Sequence, residues 1–109
     1  MTTDANPKDI AAARKPSLTA LPRRPLFEIA ATFNVADYGL FNWRTKPVSL
    51  SGHLDAMDRH MVEIREGIDI DYSSGKRHLA HIAATAILLL DAMDRDTLID
   101  DRWKFEFKE

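Results

Sequence analysis

One stretch near the middle of the second half limits what this chain can become. Between positions 75 and 93, Leu79, Ala80, Ile82, Ala83, Ala84, Ala86, Ile87, Leu88, Leu89, Leu90 and Ala92 leave a helix apolar nearly all round. Such a helix must be central and covered on several sides. The run from Ile82 to Leu90 is about half the length of a membrane span and contains Thr85, so it reads as core rather than as a transmembrane segment. In 109 residues there is room for one small domain. Only two other full helices are legible, too few to surround the apolar one. The expectation is therefore an all-α fold, a small bundle of about three main helices completed by oligomerisation into a homodimer or homotetramer, with helices two and three at the interface.

The rest of the chain is read around that helix. Residues 1–14 hold no apolar period and are expected to form a flexible N-terminal arm, with at most one helical turn at DIAAARK. Residues 15–109 form the single domain. Pro16, Pro22 and Pro25 keep the next segment extended, with Leu18 and Leu21 packing on the body. Pro25 then suits the first turn of a helix. Leu26, Ile29, Ala30, Phe33 and Ala36 fall at helical spacing and predict helix one over 25–38, stopped by Gly39. In the aromatic loop that follows, Phe41 and Trp43 are either core anchors or a stacking platform for a base. Helix two follows Pro47, capped by Ser49 or Ser51, with Leu50, Leu54, Met57, Met61 and Ile64 on one stripe and Gly67 as its stop. Ser74 reads as the cap of helix three. The charged tail, with Trp103, Phe105 and Phe107 at alternate positions, predicts a short extended segment that grips the body.

The formal net charge is −2 with both signs mixed, which argues against a nucleic-acid polymer or a membrane surface as partner. With no cysteine, disulfides and thiolate metal sites are excluded. The N-terminus lacks the basic start and apolar core of a signal peptide, so a soluble, cytoplasmic protein is expected.

Candidate chemistry is concentrated between Arg59 and Thr85. His78 and His81 are three apart and share one face of helix three, which Thr85 continues. Asp69 and Asp71 precede that helix. His60, Glu63 and Glu66 lie near the other end of the short connection, so a helical hairpin brings these groups together. Carboxylates with imidazoles suit a divalent ion, and carboxylate-plus-water ligation is what Mg²⁺ favours. The same residues also suit polar edge histidines and helix-capping aspartates. The spacing matches no closed zinc signature, P-loop or Gly-rich dinucleotide loop.

The ordered motifs resemble the phage-type dATP/dGTP diphosphohydrolases, the MazZ-like branch of the all-α, MazG-like NTP pyrophosphatases. The likeness runs from about Lys15 to Trp103. It is carried by Lys15-Pro16 and Leu21-Pro22, by Tyr38-Gly39-Leu40-Phe41-Asn42-Trp43, by Arg59-His60, and by Asp100-Asp101-Arg102. Its most specific part is the series Gly67, Asp69, Asp71, Ser74, Gly75, His78 and His81. The resemblance implies Mg²⁺- or Mn²⁺-dependent cleavage of a purine deoxynucleoside triphosphate, dGTP or dATP, to the monophosphate and pyrophosphate by a metal-activated water, in a bacterial or phage-infected host cell. Carried over, it makes His60, His78 and His81 the catalytic candidates. Glu63, Glu66, Asp69 and Asp71 become the metal candidates, and Lys15, Asn42, Trp43, Arg44 and Arg59 the substrate-binding ones. The chain departs from the pattern at Ile68, where the family commonly has glutamate, at Thr85, commonly asparagine, and at Asp37, usually lysine. Loss of a carboxylate and a cation leaves a second function open: a non-catalytic helical module of phage type that binds a nucleotide or a protein partner.

Overall fold

The fold is seen in a computed structural model that describes residues 5–104. Among these residues five α-helices follow one another, α1 (Pro7–Ala12), α2 (Arg23–Thr32), α3 (Val35–Tyr38), α4 (Leu50–Arg65) and α5 (His78–Asp94). Two-residue strands β1 (Val48–Ser49) and β2 (Leu98–Ile99) form one parallel pair, and 3₁₀ turns lie at Leu18–Ala20 and Asn42–Arg44. The architecture is all-α, as expected. The apolar helix α5 is central: both α4 and α2 pack along it.

The helix boundaries follow from local chemistry. Pro25 sits in the first turn of α2, where its missing N–H costs no hydrogen bond. The helix expected over 25–38 is in fact broken. Asn34 adopts φ 48°, a left-handed conformation that asparagine tolerates, and the chain restarts as the single turn α3. Ser49 caps α4 by accepting from the Gly52 amide at 3.1 Å. At the other end the Gly67 amide bonds Ile64 O and the Ile68 amide bonds Glu63 O, a Schellman closure in which Gly67 takes φ 85°. Helix α5 starts later than expected, at His78. Ser74 does not cap it, because residues 71–76 form a tight turn that pairs Ile70 with Arg77.

Helix α2 is tied to this turn by Glu28, which accepts from the Arg77 amide at 2.9 Å and from its guanidinium at 2.9 Å. The tail grips the body as expected, through Leu98–Asp101. Asp101 accepts from the Ser51 amide and from the Ser49 and Ser51 hydroxyls at 2.6–2.8 Å, fastening the tail to the start of α4. Trp103 is largely exposed, and Phe105 and Phe107 lie outside the described residues. Leu18, expected to pack on the body, is exposed, and so is Leu21.

The core is thin. Trp43, Leu50, Ala80, Ala84, Leu89 and Ala92 are its buried apolar residues. The described residues do not wrap helix α5: Leu79 and Leu90 are 63% and 61% exposed.

Candidate functional site

The site is built on the turn between α4 and α5. Gly75, at φ 73°, lets the chain reverse so that the Asp71 amide bonds Lys76 O at 2.7 Å and the Gly75 amide bonds Asp71 O at 2.8 Å. That reversal folds Ser73 and Ser74 back over the Asp71 carboxylate. Asp71 accepts from the Ser73 amide at 3.2 Å and from the Ser73 and Ser74 hydroxyls at 3.1 Å each. Burial by itself would raise its pKa. The Ser73 amide, the two hydroxyls and the nearby His81 outweigh that, and the net shift is downward, so the group stays charged.

His81 reaches this carboxylate from the first turn of α5. Its Nε2 lies 2.7 Å from Ser74 Oγ and 3.2 Å from Asp71 Oδ2. One turn back on the same face, His78 is buried and its Nδ1 lies 2.8 Å from Nδ1 of His60 on α4. A contact between two ring nitrogens needs one donor and one lone pair, so one of these Nδ1 atoms is protonated and the other is not. The His60 and His81 rings stack, with centroids 4.7 Å apart and planes 3° from parallel. Burial lowers the pKa of His60, and the charges of His81 and His78 lower it further, against a smaller opposing effect of Asp71. His60 is therefore neutral at pH 7 and able to accept a proton.

Two cavities meet at this cluster. A cleft of about 580 Å³ opens between α4 and the turn, lined by Arg59, His60, Glu63, Ile68, Asp71 and His78 among others. A second cavity, of about 540 Å³, has Asn34, Tyr38, Ser74, Lys76 and His81 on its walls. Asp71 borders both. Among the described residues no three histidine, aspartate or glutamate side chains converge as a metal-holding group. Two carboxylates, Glu63 and Asp71, do face the 580 Å³ cleft. That donor complement fits Mg²⁺ bound by one or two carboxylates together with phosphate oxygens, and does not fit a resident ion in an all-protein cage.

The hairpin thus assembles His60, His78, His81, Asp71, Glu63 and Arg59 from the sequence-predicted set. Glu66 and Asp69 are exposed and do not line the cleft; the Asp69 carbonyl instead accepts from the His78 amide at 2.8 Å. Lys15 is exposed in the segment between α1 and the first 3₁₀ turn. Trp43 and Arg44 are held at the other end of α5. Asp91 accepts from the Trp43 indole at 2.6 Å and from Arg44 at 2.8 and 2.9 Å, and Arg44 lies 3.9 Å over the Phe41 ring. Asn42 donates to Gly39 O at 3.1 Å. Asn42 and Trp43 also line a slot of about 210 Å³ that reaches His81.

Sequence reasoning missed Ser74 as a partner of the cluster, because a Ser-Gly pair before a helix also reads as a cap. It missed Asp91, whose signal was a lone carboxylate within an otherwise apolar run.

Residues 5–102 match the family model described as dATP/dGTP diphosphohydrolase, N-terminal. The match covers most of the chain, and the protein belongs to that family. No curated protein and no solved structure matches it.

Proposed function

We propose that this protein is a metal-dependent nucleotide pyrophosphohydrolase that converts a purine deoxynucleoside triphosphate, dGTP or dATP, to the monophosphate and pyrophosphate. The observation that carries this reading is the three-imidazole cluster with Asp71 at the meeting of two open cavities, in a chain of the diphosphohydrolase family. Water is added across the α–β anhydride: its oxygen ends on one product, the anhydride P–O bond breaks, and a proton must be removed.

Neutral His60 is placed to take that proton, and its Nδ1 contact with His78 holds the ring while it does so. Asp71, kept charged by its serine partners, fixes the His81 ring in place. Arg59 presents a guanidinium to phosphate oxygens along the cleft. Mg²⁺ or Mn²⁺, bound with the triphosphate beside Glu63 and Asp71, would supply charge neutralisation and lower the pKa of water. In this reading the protein works as a cytoplasmic homodimer or homotetramer. Support for assembly comes from the exposed Leu79, Leu90 and Met93 of α5, which a partner helix would cover.

The test is a screen of all NTPs and dNTPs with Mg²⁺ and Mn²⁺, reading pyrophosphate. Pyrophosphate and dNMP from dGTP or dATP, abolished by chelation, are expected. Binding without turnover would establish the non-catalytic nucleotide-binding module instead.

A further inference from the structure

Helix α4 carries a histidine that the cluster does not use. His53 Nδ1 lies 2.7 Å from the Ser49 carbonyl oxygen. A carbonyl only accepts, so Nδ1 is the protonated nitrogen, and in the neutral ring Nε2 is left as a lone-pair acceptor. Nε2 has no hydrogen-bond partner among the described residues, yet it is not among their buried unsatisfied atoms, of which Thr97 Oγ1 is the one example. It is therefore open to solvent, and His53 is one of the residues that line the 210 Å³ slot between the aromatic loop, α2, α4 and α5.

The other walls of that slot are suggestive in their chemistry. The Phe33 and Trp43 rings, 5.5 Å apart, make one side, and Ala84 and Leu88 contribute apolar surface. The Trp43 indole N–H is consumed by Asp91, so this residue offers the slot an apolar ring and no donor. Asn42 uses one amide N–H on Gly39 O, which leaves its oxygen and its second N–H. The volume lies below the roughly 300 Å³ at which pockets for whole small-molecule ligands begin, so the slot suits one ring system and not a nucleotide. His81 lines both the slot and the 540 Å³ cavity, so a ring in the slot would sit beside the imidazole cluster.

We propose that this slot takes the purine base of the nucleotide and that His53 Nε2 accepts a hydrogen bond from the base's amino or ring N–H edge. His53 is then a specificity residue: it selects bases that donate on that edge and leaves the phosphates untouched. The inference rests on the nucleotide reading above and adds to it the part of the substrate that is recognised and the atom that recognises it. Removing one partner from a shielded hydrogen bond leaves the other unsatisfied, which corresponds to about a tenfold change in affinity.

The experiment is calorimetric titration at pH 8 with Mg²⁺, using dATP, dGTP, the triphosphate of unsubstituted purine deoxyriboside, and inorganic tripolyphosphate. Wild-type protein and His53→Phe, which keeps a planar ring without an acceptor, are compared. The wild type is expected to bind dATP or dGTP about tenfold more tightly than the unsubstituted purine. H53F is expected to bind all three alike, with unchanged affinity for tripolyphosphate. Equal wild-type affinity for amino-bearing and unsubstituted purines overturns the base assignment while the nucleotide reading stands, and this arm needs no variant to fold. A preference that survives in H53F likewise overturns the role of His53 alone. No binding of any deoxynucleotide by the wild type overturns both.

Discussion

The two ends of α5 carry similar hardware and use it differently. At its C-terminal end Asp91 accepts from Trp43 and twice from Arg44, so that both carboxylate oxygens are occupied. At its N-terminal end Asp71 and three imidazoles are joined by single contacts and border two open cavities. The first arrangement ties the aromatic loop to the helix through a carboxylate that already accepts at both oxygens, beside a cavity of about 420 Å³ that Trp43, Arg44 and Asp91 help to line. The second keeps ring nitrogens and a charged carboxylate available to something that enters. A polar cluster whose carboxylate is fully occupied from within acts on stability, whereas one that leaves ring nitrogens over beside open space can act on a ligand.

The largest effect expected from breaking this contrast is on turnover. Asp71→Asn and His81→Gln keep shape but remove the charge and the imidazole. Each should lower pyrophosphate release by about 100-fold or more, as losses at metal ligands and their supporting partners do. Thermal melting of the same variants should move less than that of the clasp variant described next. A variant that melts much earlier yet turns over normally would assign this end of the helix to folding as well.

The clasp should respond the other way. Trp43→Phe removes the indole donor to Asp91 and is expected to destabilise the fold by about 1 kcal/mol. For a domain of this size that is about 4–8 °C in Tm. Asp91→Asn should also lower Tm while leaving pyrophosphate release per folded molecule unchanged. Loss of turnover in Asp91→Asn without loss of stability would erase the distinction between the two ends.

The pH windows of the two ends should separate too. The Arg44 and Trp43 hydrogen bonds pull Asp91 from its ordinary 3.8 to about 2. A depressed carboxylate contributes stability that is present above 3.8 and is lost as the pH falls toward 2. His60 is also depressed, first by burial, so the unfolded chain binds its proton more readily than the native one. Its contribution is present above 6.5 and declines as the pH drops below that value. Melting scans from pH 8 to 2 should show the upper phase vanish in His60→Gln and the lower one diminish in Asp91→Asn. A scan in which neither substitution alters the profile would contradict both assignments. The smallest effect belongs to Ser74→Ala: loosening His81 should reduce turnover severalfold, with Tm nearly unchanged, and an effect as large as that of Asp71→Asn would mean that Ser74 itself meets the substrate.

Much of the site could be read without a structure because helical spacing is local. His78 and His81 had to share a face, and a Gly-ended helix followed by a short connection had to bring His60 back toward them. What spacing could not reveal was how residues 71–76 turn. Whether Ser74 caps α5 or holds His81 depends on the Ile70–Arg77 pairing, and that pairing depends on Glu28 of a distant helix bonding Arg77. The metal candidates divided for the same reason. Glu63 and Asp71 face the cleft because the Schellman closure at Gly67 sets the direction of exit, and it leaves Glu66 and Asp69 facing water.

The sequence by itself determined the helical class, the central place of the apolar helix, and the identity of the imidazoles and carboxylates near its start. Periodicity, caps and breakers act within a few residues, so those features are written in the chain. Tertiary structure alone decided the break at Asn34, the parallel pairing of Val48–Ser49 with Leu98–Ile99, and the Asp101 fastening. It also decided the partners of the aspartates near the two ends of α5: Asp71 meets His81 beside open space, while Asp91 is held by Trp43 and Arg44 from 48 and 47 positions away. Contacts at such separation are selected by the packing of whole helices against one another, and no local pattern of residues encodes them.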